Sequence, residues 1–218
     1  TPAAETVKSR DLQGRAYIDF PVNVTEIRAD YRGNAAELAK IRATIDSVRQ
    51  DKDITLTSLS IKGFASPEGS YAANERLARG RTLSLKGHVE KLYAFPKDFI
   101  KTSWEAEDWA GLREYVAGSP LKNRDAILAI IDGDLKPDAK EWKLKSTYPA
   151  DYRTLLAEVY PGLRHSDYRV DYVIREFSDV EEIRRLVVGD PQKLSLNEFY
   201  IAAQSYEPGS EDFIRVME

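Results

Sequence analysis

The sequence predicts an α+β fold, and three observations carry the prediction. Runs of alternating apolar and polar residues mark strands at 14–23, 53–63, 99–107 and 166–177. Apolar residues at helical spacing fill the gaps between the first three, so the chain opens βαβαβ. A long helical segment punctuated by Pro120, Pro137, Pro149 and Pro161 then separates the third strand from the last.

The first strand, "GRAYIDFPVN", sets Ala16, Ile18, Phe20 and Val22 against Tyr17 and Asp19, the alternation of a half-buried strand. In the first helix Leu38, Ile41, Ile45 and Val48 recur on one face to about Gln50, with Asn34 as N-cap and Glu37 as its capping-box partner. "DITLTSLSIKG" forms the second strand, ending at Gly63, and a helix follows from about Ser70 to Leu92. "FIKTSWEAE" gives a short third strand. The inserted segment, about 105–165, carries helical stretches at 108–117, 121–132 and 149–159. In the last strand Tyr168, Val170, Tyr172 and Ile174 share a face. Residues 178–218 turn helical again, with Ser195 and Glu198 forming a second capping-box pair; they resemble the opening of a tetratricopeptide-type pair and suggest the start of a helical repeat region.

Composition narrows the function. The net charge is -4, with 32 basic residues interspersed among 36 acidic ones, which leaves no footprint for nucleic acid. Cysteine is absent, so disulfides, thiol nucleophiles and cysteine-bound metals are excluded. No apolar run approaches the ~20 residues of a membrane span. The start at Thr1 suggests a processed or trimmed chain.

The most informative stretch is "GFASPEGSYAANERLARGRTLSLKGHV", a glycine-rich turn before a helix. Helix starts bind anions, yet Gly63 and Gly69 lie six apart, Pro67 removes a donor between them, and no phosphate-loop lysine is present, which argues against a nucleotide. Projected at about 100° per residue, the helix has a buried stripe of Ala78, Leu85, Val89 and Leu92, with Asn74 and Arg81 within or beside it. An arginine there needs partners. Either it snorkels or pairs with an acid such as Asp171, while Asn74 ties down the preceding turn, or it faces a ligand carboxylate.

"IKGFASPEGSYAANERLARGRTLSLKGHV", followed by "YRVDYVIREF", resembles the OmpA-like C-terminal domain family over roughly residues 14–177 apart from the insertion. The resemblance implies a two-layer sandwich of helices on a mixed sheet, and peptidoglycan binding in the bacterial periplasm at the outer membrane. Gly63, Gly69, Asn74, Leu77 and Arg81 occupy the family's motif positions. The family's carboxylate-binding arginine carries over to Arg81 and its asparagine to Asn74. The family's aspartate does not carry over: Ser66 stands there, and the nearest acid is Glu68. "GFASPEGS" and the insertion look like the OmpA-like proteins of the Bacteroidetes.

Other chemistry is weaker. His88 and His165 have no serine or acid at motif spacing. Asp132, Asp134 and Asp138 in "DGDLKPD" resemble half a calcium loop, but Lys143 stands where a glutamate is required. Trp104, Trp109 and Trp142 suit core packing better than a sugar platform. The expectation is a non-catalytic envelope module without metal or cofactor, with Arg81, Asn74, Ser66, Glu68 and Gly69 as its ligand-binding residues. Its partners would be a peptidoglycan stem peptide and, through the helical extension, envelope proteins. The alternative is a protein–protein scaffold that has lost glycan binding.

Overall fold

The computed structural model describes residues 7–218. It is a mixed α/β protein. Strand β1 (Lys8–Ala16), helix α1 (Asn34–Arg49), β2 (Ile54–Phe64), α2 (Tyr71–Tyr93) and β3 (Ile100–Glu105) follow in turn. After a helical run, β4 (Ser166–Ile174) completes a four-stranded sheet ordered β1-β4-β2-β3. β2 and β3 are parallel, Leu59 opposite Ile100 and Gly63 opposite Trp104, as a crossover through α2 permits. β4 is antiparallel to β2, because Phe64 N donates to His165 O at one end and Arg175 N to Asp53 O at the other.

The first strand is displaced from its expected place. It occupies Lys8–Ala16 and ends where the alternation at 14–23 begins. The alternation still reports burial: Ala16 and Ile18 are buried and Tyr17 and Asp19 exposed, but Val22 is 88% exposed. Side chains of α1 replace a strand partner here. Asn34 Oδ1 accepts from Asp19 N at 2.7 Å, Asn34 Nδ2 donates to Asp19 O at 2.9 Å, and Glu37 accepts from Tyr17 N at 2.9 Å. The two residues expected to form a capping box therefore clamp the preceding loop instead, and Asn34 is the first residue of the helix.

Between β3 and β4 lie α3 (Trp109–Ala117), α4 (Arg124–Asp132), α5 (Pro137–Thr147), α6 (Pro149–Thr154), a π-helical turn (Leu155–Val159) and α7 (Tyr160–Leu163). α5 and the short α7 lie outside the stretches that the sequence marks as helical. Pro137 stands at the first turn of α5, where a missing N–H is harmless. These helices share a core of Leu112, Val116, Ile127, Leu144, Leu155 and Tyr160.

The chain divides into two compact units. One comprises Gln13–Thr44 and Ser58–Val170, and the other Ile45–Thr57, Asp171–Glu218 and the described part of Thr1–Leu12. The second contains α8 (Val180–Gly189), a 3₁₀ turn (Pro191–Lys193), α9 (Leu196–Gln204) and α10 (Glu211–Met217). The capping box of Ser195 and Glu198 forms as the sequence indicates. Among the described residues, no helix is long and apolar enough to cross a membrane.

Acid should loosen this second unit. Burial pushes the Asp53 carboxyl up, but Arg175 and Lys193 outweigh it and hold Asp53 below the usual carboxylate range. Glu198 is lowered too, hydrogen bonds from Ser195 N–H and Lys8 overcoming its burial. Lys193, despite burial, is pushed up to about 12 by Asp51 and Asp53. A depressed carboxylate stabilises fully above its unfolded pKa, near ~4, and the gain disappears as pH falls through the folded value. The thermal midpoint should therefore fall as pH drops below about 4, and less steeply in Asp53→Asn. A midpoint unchanged down to about pH 2 would contradict this assignment.

Candidate functional site

The turn after β2 sits in the first of the two units. Gly63 is required by proximity, since a Cβ there would fall on the Thr82 hydroxyl of α2, itself fixed by donation to Ala78 O at 2.7 Å. Ser70, near which the sequence starts this helix, caps α2, its Oγ accepting from Ala73 N at 3.3 Å. Asp138, at the start of α5, accepts from Tyr71 N at 2.7 Å. Two of the helix-start donors anticipated for a ligand are thus taken by the protein.

Asn74 is buried at 5% exposure. Its Nδ2 donates to Glu68 O at 3.0 Å and to Glu107 Oε1 at 2.9 Å, so both amide hydrogens hold the turn. Glu107, which also accepts from Trp109 Nε1 at 2.7 Å, is raised above the usual carboxylate range, chiefly by burial and further by Asp138 and Glu141. Arg164, between α7 and β4, braces the turn from the other side. Its Nε donates to Ser66 Oγ at 3.0 Å and its Nη2 to Glu68 at 2.8 Å. The position that resembles the family's aspartate therefore holds a hydroxyl already engaged by a cation.

Arg81 differs from these. Its Nε donates to Val24 O at 3.3 Å and its guanidinium lies 4.8 Å over the Phe20 ring. Among the described residues no acid pairs with it and its Nη groups make no protein hydrogen bond. Burial lowers its pKa, the nearby charge of Arg164 lowers it further, and Asp19 only partly opposes them. A guanidinium remains charged under these pressures, so an incoming anion would relieve both. Arg81 lines a cleft of about 480 Å³ together with Asp19, Phe20, Arg32, Ser66, Asn74 and Arg164. The loop forming one wall holds Asn23 and Arg32 in the left-handed region, at φ 59° and 49°. Such conformations cost of order 1–3 kcal/mol each.

His165 lies directly after Arg164 in the chain. Fully enclosed, it bonds through Nε2 to Asp108 Oδ2 and through Nδ1 to Asp167 Oδ1, both at 2.7 Å, and stacks on Phe64 at 4.2 Å. With both ring nitrogens on carboxylates, it has none left to take a proton from a nucleophile. Asp108 sits below the usual carboxylate range, because hydrogen bonds from His165 and Gly111 N–H exceed the effect of its burial.

The structure brings together Ser66, Glu68, Asn74 and Arg81 on one cleft and leaves Gly69 at the edge of a neighbouring groove. Sequence reasoning missed Arg164, Arg32 and Asp19; no motif marks them, and Arg164 is 98 positions from Ser66. His88 sits on α2, its pKa lowered by partial burial and then by Lys91. Asp132 pairs with Arg113 at 2.6 Å, so the calcium-like loop has its acids engaged at both Asp132 and Asp138. The tryptophans serve separate places: Trp104 lies under Arg79, Trp109 packs on the insertion core, and Trp142 is 69% exposed. Compared with known proteins, the chain matches no family model, and no curated protein matches it significantly.

Proposed function

We propose that the chain is a non-catalytic binding module of the bacterial cell envelope, related to the OmpA-like domains, that receives a carboxylate of a peptidoglycan stem peptide at Arg81. The observation that carries this reading is a half-buried arginine that, among the described residues, has no acid partner and no acceptor for its Nη groups, on a cleft of about 480 Å³. A planar guanidinium is shaped for a carboxylate, and desolvation strengthens the pair. A periplasmic location at the outer membrane follows from the same reading.

The test is calorimetric titration of a diaminopimelate-containing muropeptide. Arg81→Ala should lose at least tenfold in affinity with its fold retained, the loss typical of a charge-assisted bond worth about 1.5–3 kcal/mol. Ser66→Asp, which would restore the family's anion, should give little gain, because Arg164 stands 3.0 Å from that hydroxyl and would capture the new carboxylate. Equal binding by Arg81→Ala and the wild type would remove the carboxylate reading.

A second reading, a docking scaffold, has its own observation. Ser66, Glu68 and Asn74 are all committed to internal bonds, while Leu196 and Tyr200 on α9 are 65% and 58% exposed. No detectable muropeptide binding by the folded wild type would favour it.

A further inference from the structure

We propose that the ligand site is double: a second groove, built by the helical insertion beside the Glu68–Gly69 turn, receives a second carboxylate of the same peptide ligand. This rests on the reading of Arg81 as a carboxylate receptor. The second groove has a volume of about 570 Å³, and its walls are Glu68 and Gly69 on the turn and Glu141, Lys145, Tyr152 and Arg153 on the insertion. Glu68 belongs to the lining of both grooves, so one extended molecule can occupy the two. Gly69 stands at φ +90°, and the direction in which a Cβ would point is empty to 4 Å, so no side chain rises from the turn at that position.

Charge defines the occupant. The acids of this groove are already engaged: Glu68 pairs with Arg164 at 2.8 Å, and Glu141 accepts from Tyr152 Oη at 2.5 Å. Its cations are not. Arg153 and Lys145 are exposed and form no ion pair among the described residues, and Lys145 only overlies the Tyr152 ring at 6.0 Å. Tyr152 is a neutral donor, so Glu141 keeps its charge, but the two cations Lys145 and Arg153 outweigh it and the electrostatic remainder is positive; Arg153 offers the same planar fork to a carboxylate as Arg81 does. Pro149 and Leu156 add apolar wall to the groove. A sugar would require an open aromatic face, whereas Tyr152 is only 6% exposed and the exposed Trp142 is not part of this lining. A peptide with a second acidic group satisfies these conditions. Because the second contact is intramolecular once Arg81 is engaged, it adds affinity without a new encounter.

The experiment uses the full 218-residue chain, meso-diaminopimelate alone, and the stem tetrapeptide L-alanyl-D-isoglutamyl-meso-diaminopimelyl-D-alanine. Lys145 and Arg153 are exposed, so Lys145→Gln/Arg153→Gln should fold as the wild type does, checked by circular dichroism. The double variant should bind the tetrapeptide about tenfold or more weakly, the loss of a charge-assisted contact. It should bind diaminopimelate, followed by NMR, as the wild type does. Amide shifts at Gly69 and Arg153 should accompany the tetrapeptide only. If the double variant holds the tetrapeptide as tightly as the wild type while Arg81→Ala loses it, the second groove is refuted and the Arg81 reading stands. If Arg81→Ala binds both probes normally, the Arg81 reading fails and the double site falls with it.

Discussion

Lys8→Ala is expected to destabilise the protein by about 3–5 kcal/mol, the range for leaving a buried charge without its partner. Lys8 and Glu198 are each 3% exposed, and the ammonium meets both carboxylate oxygens at 2.9 Å and Lys193 O at 3.1 Å. All three of its hydrogens are thus used, and it also lies 4.1 Å above the Phe177 ring. Glu198 in turn accepts from Phe177 N and Ser195 N, each at 2.7 Å. Removing the lysine strands a carboxylate in a dry site; removing both charges does not. The double variant Lys8→Met/Glu198→Gln should therefore recover much of the loss, because the glutamine oxygen still accepts one of those N–H groups and no ion is left buried. Urea unfolding measures both. A single-variant loss under about 1 kcal/mol would show that the pair is solvated.

Asp108→Ala should cost about 3–5 kcal/mol in the other unit, by breaking a buried charged network and removing a helix cap together. Asp108 accepts from Gly111 N at 2.9 Å as the N-cap of α3, meets His165 Nε2 at 2.7 Å, and donates its own N–H to Ala65 O at 2.9 Å. On the far nitrogen Asp167 is shared with Arg15, at 2.8 Å. At about 2–4 °C per kcal/mol for a chain of this size, the thermal midpoint should fall by roughly 6–20 °C. Asp108→Asn should be milder, since its amide oxygen can keep the cap. Equal damage from both would mean that the charge, not the cap, dominates; a change below about 1 kcal/mol in either would remove the network from the account of stability. Because His165 precedes β4 and follows Arg164, a loosened network should also release the brace on Ser66 and Glu68, visible as amide shifts in residues 65–70.

Much of the fold was legible because it is written in local periodicity. Ile41, Ile45 and Val48 on α1, Leu59 and Ile61 on β2, and Tyr168, Val170 and Ile174 on β4 are buried as their spacing requires. Leu92, placed in the buried stripe of α2, is 47% exposed in the last turn of that helix, where periodicity continues after the packing partner has ended. The true first strand was invisible because "KSRDLQGRA" carries no apolar alternation, and its buried residue at the start is a lysine. Of the site, the turn, the start of α2 near Ser70 and the position of Arg81 could be read from spacing. Which of Ser66, Asn74 and Glu68 would already be occupied could not.

By itself, the sequence determined the last three strands of the sheet and the two helices between the strands, with their order, the helical character of the insertion and extension, the start of α2 near Ser70 and the Ser195–Glu198 box. Each is a short-range property, set by a repeat of two or 3.6 residues or by a hydrogen bond three residues long. Tertiary structure alone decided which charges meet. Lys8 finds Glu198 across 190 positions, Ser66 finds Arg164 across 98, and His165 finds Asp108 across 57. A charge is buried only with a partner, and sequence spacing carries no information about a partner delivered by a distant element, so Arg81 stands out only once every neighbouring cation and acid has been matched.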